Sequence, residues 1–490
     1  LRLVFAFNHG EAIRAFTEAA RRDPACAICY WGIALAYGPH VNAPMDSAAS
    51  VAAYKALSRA AELAPGASRA EQGYIRALSA RYAMSPPPDR SSLDSAYARA
   101  MAELARQHPA DLDAATLYAE SMMDLRPWNY WKKDGSPYPG TEIIIGQLER
   151  VIAADPDHPG ACHYFIHAVE AVNPARAIPC AERLASLMPG AGHMVHMPGH
   201  IYIRVGRYND AINANVHAVH TDESYIAAEH PSGVYPMGYY PHNYHFLSFA
   251  ASMAGRSAQA IDAGRKLSAA IPAEVARQVP AFEMLIPYDR LVLVTFGRWD
   301  DILALPLPPE DLRMSSGLAQ YARGVAFAAR NQWDDANGAL AIVTRIAEGT
   351  TPADQAAMTA GEGENKKVID IAMHALMGEI ARRRGELEQA AAHYRQAVSI
   401  EDSFNYVEPP QWYYPLRQSL GAILLMAGKP AEAEAVYRED LRRFPENGWS
   451  LFGLAASLRA EGRAADAAQV DQRQVSAWQG ADITLTASRF

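Results

Sequence analysis

Apolar positions recur with a helical period along most of this chain. Alanine is abundant, valine and isoleucine are modest, and no long stretch alternates between apolar and polar residues with period two. Because period-two alternation is the usual signature of a half-buried strand, its absence argues against β-sheets. The pattern predicts an all-α fold.

Many of the predicted helices follow one repeating plan, in which a helix ends at a glycine turn and an alanine-rich helix follows. The C-terminal part shows the plan most clearly, with turns at Gly385, Gly428 and Gly462, the last two 34 residues apart. Glycine permits the positive φ of such a turn. One pair of helices cannot bury its apolar face alone, so neighbouring pairs are expected to stack.

This plan resembles the tetratricopeptide repeat (TPR), a unit of two paired helices that is 34 residues long. Further matching turns are Gly206, Gly255 and Gly297, and the resemblance covers most of the chain. It implies a right-handed superhelix of about eight to ten hairpins. Four stretches also resemble a group of bacterial TPR-containing proteins, and they read FNHGEA, CYWG, HMPGHIY and YYPHNYHFL. The resemblance implies a fold and assigns no activity.

Interruptions of the plan divide the chain into segments. TPR-like hairpins are predicted over 1–125, over 142–270 and over 271–490. An aromatic loop is expected at 126–141 and a second inserted loop at 221–241. Long loops in a compact array are often functional, so we expect these two to cover a binding surface.

Charge and hydropathy limit the partners. The chain of 490 residues carries 45 Lys and Arg against 54 Asp and Glu, a net charge of −9, and no basic tract stands out. Nucleic-acid binding needs clustered cations, so it is not expected. No run of residues approaches the ~18 apolar positions of a membrane-spanning helix. The compartment (cytoplasmic, periplasmic or secreted) and the oligomeric state stay open.

Four cysteines are too few for a disulfide-based scaffold. Cys26 and Cys29 form a C-x-x-C pair, which is either a redox pair or two small core residues of a helix, and we favour the second interpretation. The next residue is Tyr30 rather than histidine, so the pair does not mark a c-type haem attachment site.

Histidine placement is the most specific signal in the sequence. Eleven of the 16 histidines lie between positions 158 and 245. Seven of these recur on the first helices of three successive repeats and are the predicted metal ligands: His163, His167, His193, His196, His200, His242 and His245.

The register of these histidines repeats from unit to unit. His196 and His200 lie ten and six residues before Gly206, and His163 and His167 lie at the same distances before the preceding turn. Spacings of three, four and seven residues place side chains on one face of a helix. Stacked repeats align equivalent positions, so the first helices are expected to project histidines into the concave groove.

Two histidines one helical turn apart are a common transition-metal pair. An imidazole-rich site favours copper over iron or zinc, and seven histidines are enough for one or two ions. Glu120, six residues before Arg126 on the preceding first helix, is the candidate catalytic acid, base or additional ligand.

The leading hypothesis is therefore a metal-binding TPR-like protein, a copper- or iron-dependent oxidoreductase that takes a small-molecule substrate in the groove. Two alternatives stay open. One is a non-catalytic scaffold that binds a peptide or a partner protein in the groove, and the other is a metal storage or delivery protein.

Overall fold

The computed structural model describes residues 1–231, 233, 235–359 and 364–490. Within these residues the chain is helical and forms no β-strand, and only isolated bridges join His40 to Ala43 and Trp131 to Pro137. The predicted all-α class is confirmed. Among the described helices, none combines the length and the apolar character that crossing a bilayer requires.

The chain divides into two compact units. The first contains Leu1–Ile201 and His217–Pro236, and the second contains Tyr202–Val216 and Met237–Phe490. The helices Pro198–Arg204 and Tyr208–Glu229 each contribute residues to both units.

The first unit is built from consecutive helices that pack on one another. Its α-helices before the shared pair are Arg2–Phe5, His9–Arg22, Ala27–Ala36, Ser47–Leu63, Arg69–Ser79, Ser91–Gln107, Leu112–Met123, Thr141–Ala154, Pro159–Val169, Ile178–Leu187 and Gly192–His196. Short 3₁₀ turns lie at Ala64–Gly66 and Pro174–Ala177. The short N-terminal helix packs against Pro159–Val169, where Phe5 meets Tyr164 edge to face.

The second unit repeats the same hairpin plan. Its α-helices after the shared pair are Tyr240–Met253, Ser257–Ala270, Ala273–Gln278, Tyr288–Thr295, Trp299–Ala304, Arg313–Ala329, Trp333–Ala347, Pro352–Thr359, Glu364–Arg383, Leu387–Glu401, Arg417–Met426, Pro430–Arg443, Gly448–Ala460 and Ala464–Ala477. A 3₁₀ helix occupies Pro280–Leu285. The last hairpin of this unit contacts the helix Tyr240–Met253, because the indole Nε1 of Trp449 donates to the carbonyl oxygen of Ser252 over 2.9 Å.

The predicted turn glycines separate paired helices in this unit. Gly428 and Gly462 have φ of 72° and 77°, in the left-handed region that favours glycine. Each lies between two helices that pack on each other. The TPR-like hairpins predicted from the sequence are therefore confirmed.

Residues 221–241 differ from the inserted loop that the sequence analysis expected. The helix Tyr208–Glu229 includes the first nine of them, and a π-helical turn at Tyr235–Tyr239 leads directly into Tyr240–Met253. Between positions 208 and 229 the chain has neither glycine nor proline, so nothing ends the helix before Pro231. Residues 232 and 234 lie outside the described part of the chain.

The cysteines also differ from expectation. The sulfur atoms of Cys26 and Cys29 are bonded, and Cys26 precedes the helix Ala27–Ala36 that contains Cys29, so the pair is not two core residues of one helix. Cys162 and Cys180 form a second disulfide, which links the helix Pro159–Val169 to the helix that follows it.

Candidate functional site

The helix Pro159–Val169 presents two of the predicted ligands to the interior of the first unit. His163 and His167 lie one turn apart on it, and their Nε2 atoms are 3.2 Å from each other. Both side chains are buried, at 0% and 3% exposure. Sequence spacing therefore placed this pair on one face of a helix, and the packing of the unit removes that face from solvent.

A third imidazole joins this pair from the short helix Gly192–His196. The Nε2 of His193 lies 3.2 Å from the Nε2 of His163, and one ring nitrogen from each of the three histidines lies within 4.8 Å of the others. His163, His167 and His193 are called the imidazole trio below.

The start of the His193 helix is held by a specific contact. The hydroxyl of Tyr235 donates to the carboxylate of Asp222 over 2.9 Å and lies 3.3 Å from the main-chain N–H of His193, which donates to it. A Cβ at Gly192 would overlap the same carboxylate. Glycine at this position therefore allows Asp222 to approach and fix the position of His193.

The hydrogen bonds of the trio determine which nitrogen carries the proton. The Nδ1–H of His163 donates to the carbonyl oxygen of Phe5 over 2.5 Å, and the Nδ1–H of His167 donates to Oε1 of Glu170 over 2.9 Å. A neutral imidazole has one donor and one acceptor, so both Nε2 atoms carry lone pairs. Two lone pairs 3.2 Å apart cannot bond to each other, whereas a cation between them would satisfy both.

Glu170 is the carboxylate of this site. It is fully buried, and its second oxygen accepts the Nδ1–H of His200 over 2.6 Å. Burial by itself raises the pKa of Glu170, but the adjacent rings of His200 and His167 overcome it and lower the pKa to about 2. The group is therefore an anion near neutral pH.

His196 and His200 form an imidazole pair next to the trio. Their Nε2 atoms are 2.9 Å apart and their side chains are 0% and 2% exposed. Although Pro198 begins a new helix between them, the two rings still face each other as their spacing predicted. The ring centroids of His193 and His196 are 5.8 Å apart, so the pair and the trio are neighbours.

Burial favours the uncharged form of all three imidazoles in the trio. Burial lowers the pKa of His163 and of His193 well below the usual range, and it lowers the pKa of His167 as well. Neutral imidazole is the form that binds a metal ion.

Two aromatic side chains cover the trio. The ring of Phe7 lies 4.5 Å from that of His163 and 5.4 Å from that of His193, measured between centroids. Trp128, from the aromatic segment 126–141, meets His167 edge to face at 4.9 Å, and its indole Nε1 donates to the side chain of Asn42 over 3.1 Å. These two rings therefore help to shield the buried trio from solvent.

The structure places Glu120 in a different buried cluster. Arg81 makes an ion pair with Asp124, and its guanidinium stacks on the ring of Tyr97 at 4.6 Å. Burial and the neighbouring Asp124 raise the pKa of Glu120 well above its ordinary value. The carboxylate that contacts the histidines is Glu170, and a catalytic role for Glu120 stays a prediction.

The last two predicted ligands lie on the helix Tyr240–Met253 of the second unit. The ring of His242 packs on Phe246 at 4.9 Å, and the ring of His245 packs on Tyr288 at 4.7 Å. Burial lowers the pKa of His245 to about 3. Their role as metal ligands stays a prediction from the sequence register.

Sequence reasoning missed two members of the site. Glu170 follows His167 by three residues, so an H-x-x-x-H-x-x-E pattern was a signal that could have identified it. Phe7 begins the FNHGEA stretch, but no spacing relates it to the histidines, because only the packing of the first helix against Pro159–Val169 brings it to the trio.

No family model matches this sequence, and no curated protein matches it either. Some solved structures are similar in fold. The human IFIT1 dimer with m7Gppp-AAAA is 11% identical, with a TM-score of 0.35 over 92% of this chain and 90% of that chain. The TPR domain of P58(IPK) is 14% identical, with a TM-score of 0.21 over 75% of this chain and 93% of that chain. Similarity at this level carries no information about function.

Proposed function

We propose that this chain is a metalloprotein in which the imidazole trio binds one transition-metal ion, with copper favoured over iron or zinc. The observation that carries the proposal is the convergence of three buried Nε2 atoms, two of them on rings whose Nδ1–H is anchored by Phe5 and Glu170. Histidines that bind metals almost always donate their other ring N–H to a carbonyl or a carboxylate in this way.

The spacing of the nitrogens agrees with a shared ion. Imidazole nitrogens bind such ions at about 2.0–2.1 Å, which separates two ligands of a tetrahedral site by about 3.3 Å. The Nε2 of His163 is 3.2 Å from that of His167 and 3.2 Å from that of His193. Binding an ion therefore requires little movement of the rings.

The donor set supports copper. The described residues contain no free cysteine, so thiolate ligands play no part. Imidazole sites follow the general affinity order in which copper exceeds zinc, nickel and iron. The anionic Glu170 lies behind His167 and partly balances the charge of a bound cation.

A bound copper ion would supply one-electron redox chemistry, and we propose an oxidoreductase on that basis. The residues of the chain orient the ligands and restrict access. Phe5 and Glu170 fix two rings, while Phe7 and Trp128 cover them. With all three rings at most 3% exposed, a reacting molecule must be small, of the size of dioxygen or water.

Elemental analysis of the purified chain tests this proposal. We expect near-integral copper, and we expect His167→Ala to lose it while circular dichroism stays native. The exposed His217 and His220 provide matched controls, and their alanine variants should retain the metal. Protein that contains no metal and takes up none on titration would overturn the proposal. Rapid exchange of the ion without any turnover would favour storage or delivery.

Peptide binding is a second candidate function with one observation in its favour. In the second unit, the non-helical segment 481–490 lies against helices of the same unit. The carboxylate of Asp482 accepts the N–H of Ser257 over 2.6 Å, and the hydroxyl of Ser488 donates to the carbonyl oxygen of Gln418 over 2.9 Å. These helices therefore accommodate a non-helical chain segment.

A truncated chain tests this second candidate. We expect a variant that ends at residue 480 to bind a synthetic 481–490 peptide in solution, and an Asp482→Ala peptide to bind more weakly. If the folded variant binds neither peptide, the observation reflects only the packing of this segment in its own chain.

A further inference from the structure

Glu170 serves two groups of histidines at once. One carboxylate oxygen accepts from His167 of the trio over 2.9 Å, and the other accepts from His200 of the imidazole pair over 2.6 Å. Both distances are those of charge-assisted N–H···O hydrogen bonds. Each oxygen of the carboxylate thus accepts from one ring, and this arrangement orients both imidazoles.

The protons of the imidazole pair can be assigned to ring nitrogens in the same way. Because the Nδ1–H of His200 donates to Glu170, the Nε2 of His200 carries a lone pair when the ring is neutral. That lone pair faces the Nε2 of His196 at 2.9 Å. A single N–H···N hydrogen bond from His196 also fits this distance, so the distance by itself does not establish a metal position.

The repetition of one design favours a metal position. His163 and His167 in one repeat and His196 and His200 in the next have the same spacing and the same register to the following turn. In each repeat the two Nε2 atoms face each other in a buried position, and the C-terminal histidine donates its Nδ1–H to Glu170. Packing alone does not require two buried pairs that are anchored on one shared anion.

The two groups are also adjacent. The ring centroids of His167 and His200 are 5.4 Å apart, and those of His193 and His196 are 5.8 Å apart. One buried negative charge in contact with both groups lowers the cost of placing two cations close together.

We infer that the imidazole pair His196 and His200 is a second transition-metal position, and that Glu170 is a positioning residue shared by both ions. This inference rests on the proposed function of the trio and extends it to a centre of two ions.

The chemistry of an amide gives this inference a specific consequence. In Glu170→Gln the side-chain oxygen still accepts one Nδ1–H, but the NH₂ group donates to the other ring. That ring must then accept at Nδ1 and carry its proton on Nε2, where a metal ligand needs a lone pair. Glu170→Gln is therefore expected to retain one ion and to weaken the other by about 10–100-fold, as is typical when such an orienting partner is lost.

Titration of the metal-free full chain with Cu(I), against a chromophoric competitor, tests the inference. We expect two ions per chain, one ion in His196→Ala, one ion in His193→Ala, and two in the exposed control His220→Ala. His196→Asn provides a second variant in case the alanine variant does not fold.

The outcomes separate the two proposals. If the native chain binds one ion, the second metal position at His196 and His200 is overturned and metal binding by the trio is retained. If it binds no ion, both proposals are overturned. Two tightly bound ions in a folded His196→Ala or His196→Asn variant would place the second ion elsewhere, and equal affinity for both ions in Glu170→Gln would remove the shared role of Glu170.

Discussion

The carboxylate of Glu170 accepts the Nδ1–H of His167 across one turn at the end of the helix Pro159–Val169, over 2.9 Å. This contact fixes the proton on Nδ1 of the ring. The lone pair of Nε2 is therefore directed at His163. Together with the carbonyl oxygen of Phe5, Glu170 thus orients the Nε2 lone pairs of the two histidines in the H-x-x-x-H pair.

The position of His193 depends on a glycine. A methyl group at Gly192 would overlap the carboxylate of Asp222, so Gly192→Ala is expected to displace that carboxylate and the Tyr235 hydroxyl bonded to it. We predict that this variant binds copper at least tenfold more weakly in the same competitive titration, although no ligand is removed. Gly190→Ala is the control, because a Cβ there meets nothing within 4 Å. Equal losses in both variants would contradict this role.

Phe7 links the N-terminal segment to the trio. Its ring is 3% exposed, so Phe7→Ala is expected to lower the free energy of unfolding by about 3–5 kcal/mol in urea titrations. Since Phe7 has φ of 53°, Phe7→Gly should be no less stable than Phe7→Ala, in spite of the usual cost of glycine.

Loss of the Phe7 ring from the trio in Phe7→Ala should also speed the transfer of copper to a small chelator. An unchanged transfer rate would show that Phe7 does not limit access to the trio.

Metal removal should destabilise the first unit. An ion that binds only the folded chain stabilises it by about 4 kcal/mol when its free concentration is 1,000 times its dissociation constant. We predict that chelation lowers the melting temperature, that added copper restores it, and that His167→Ala shows neither response. A melting temperature that is the same with and without metal would mean that the trio holds no ion of this affinity.

His9 should make the metal-free chain less stable in mild acid. Burial lowers its pKa from 6.5 to about 4, so the folded state binds fewer protons than the unfolded state between these two values. Stability is therefore lost as the pH falls below about 6.5, and the loss from this group is about 2 kcal/mol between pH 7.5 and pH 5.

The control for this prediction is His9→Asn, which keeps a donor for the carbonyl oxygen of Ala36 that Nδ1 of His9 contacts at 2.8 Å. In urea unfolding of chelator-treated protein, the difference in stability between the two pH values should shrink by that amount in the variant. If the difference is the same in both proteins, His9 titrates normally in the folded chain.

The features that follow from local spacing were predictable from the sequence. Helical hairpins, the turns at Gly428 and Gly462, and the facing of His163 and His167 all depend on residues a few positions apart. The period of the apolar positions and the need for positive φ at the turns were enough to derive them.

What the sequence did not reveal depends on long-range packing or on proton placement. Phe7 reaches the trio across more than 150 residues of chain, and no periodic signal marks it. Glu120 and Glu170 are both buried carboxylates, but only the three-dimensional neighbours distinguish them, with Asp124 beside one and two imidazoles beside the other. The helical part 221–229 was missed because the residues that follow it, Pro231, Gly233 and Pro236, are typical of a loop.

Anomalous diffraction at the copper edge, from crystals of the chain purified without added metal, tests the central claim most directly. The account predicts a peak about 2.0–2.1 Å from the Nε2 atoms of His163, His167 and His193. No peak at the trio in native crystals or in crystals soaked with Cu(I), or a peak at other side chains only, would contradict it.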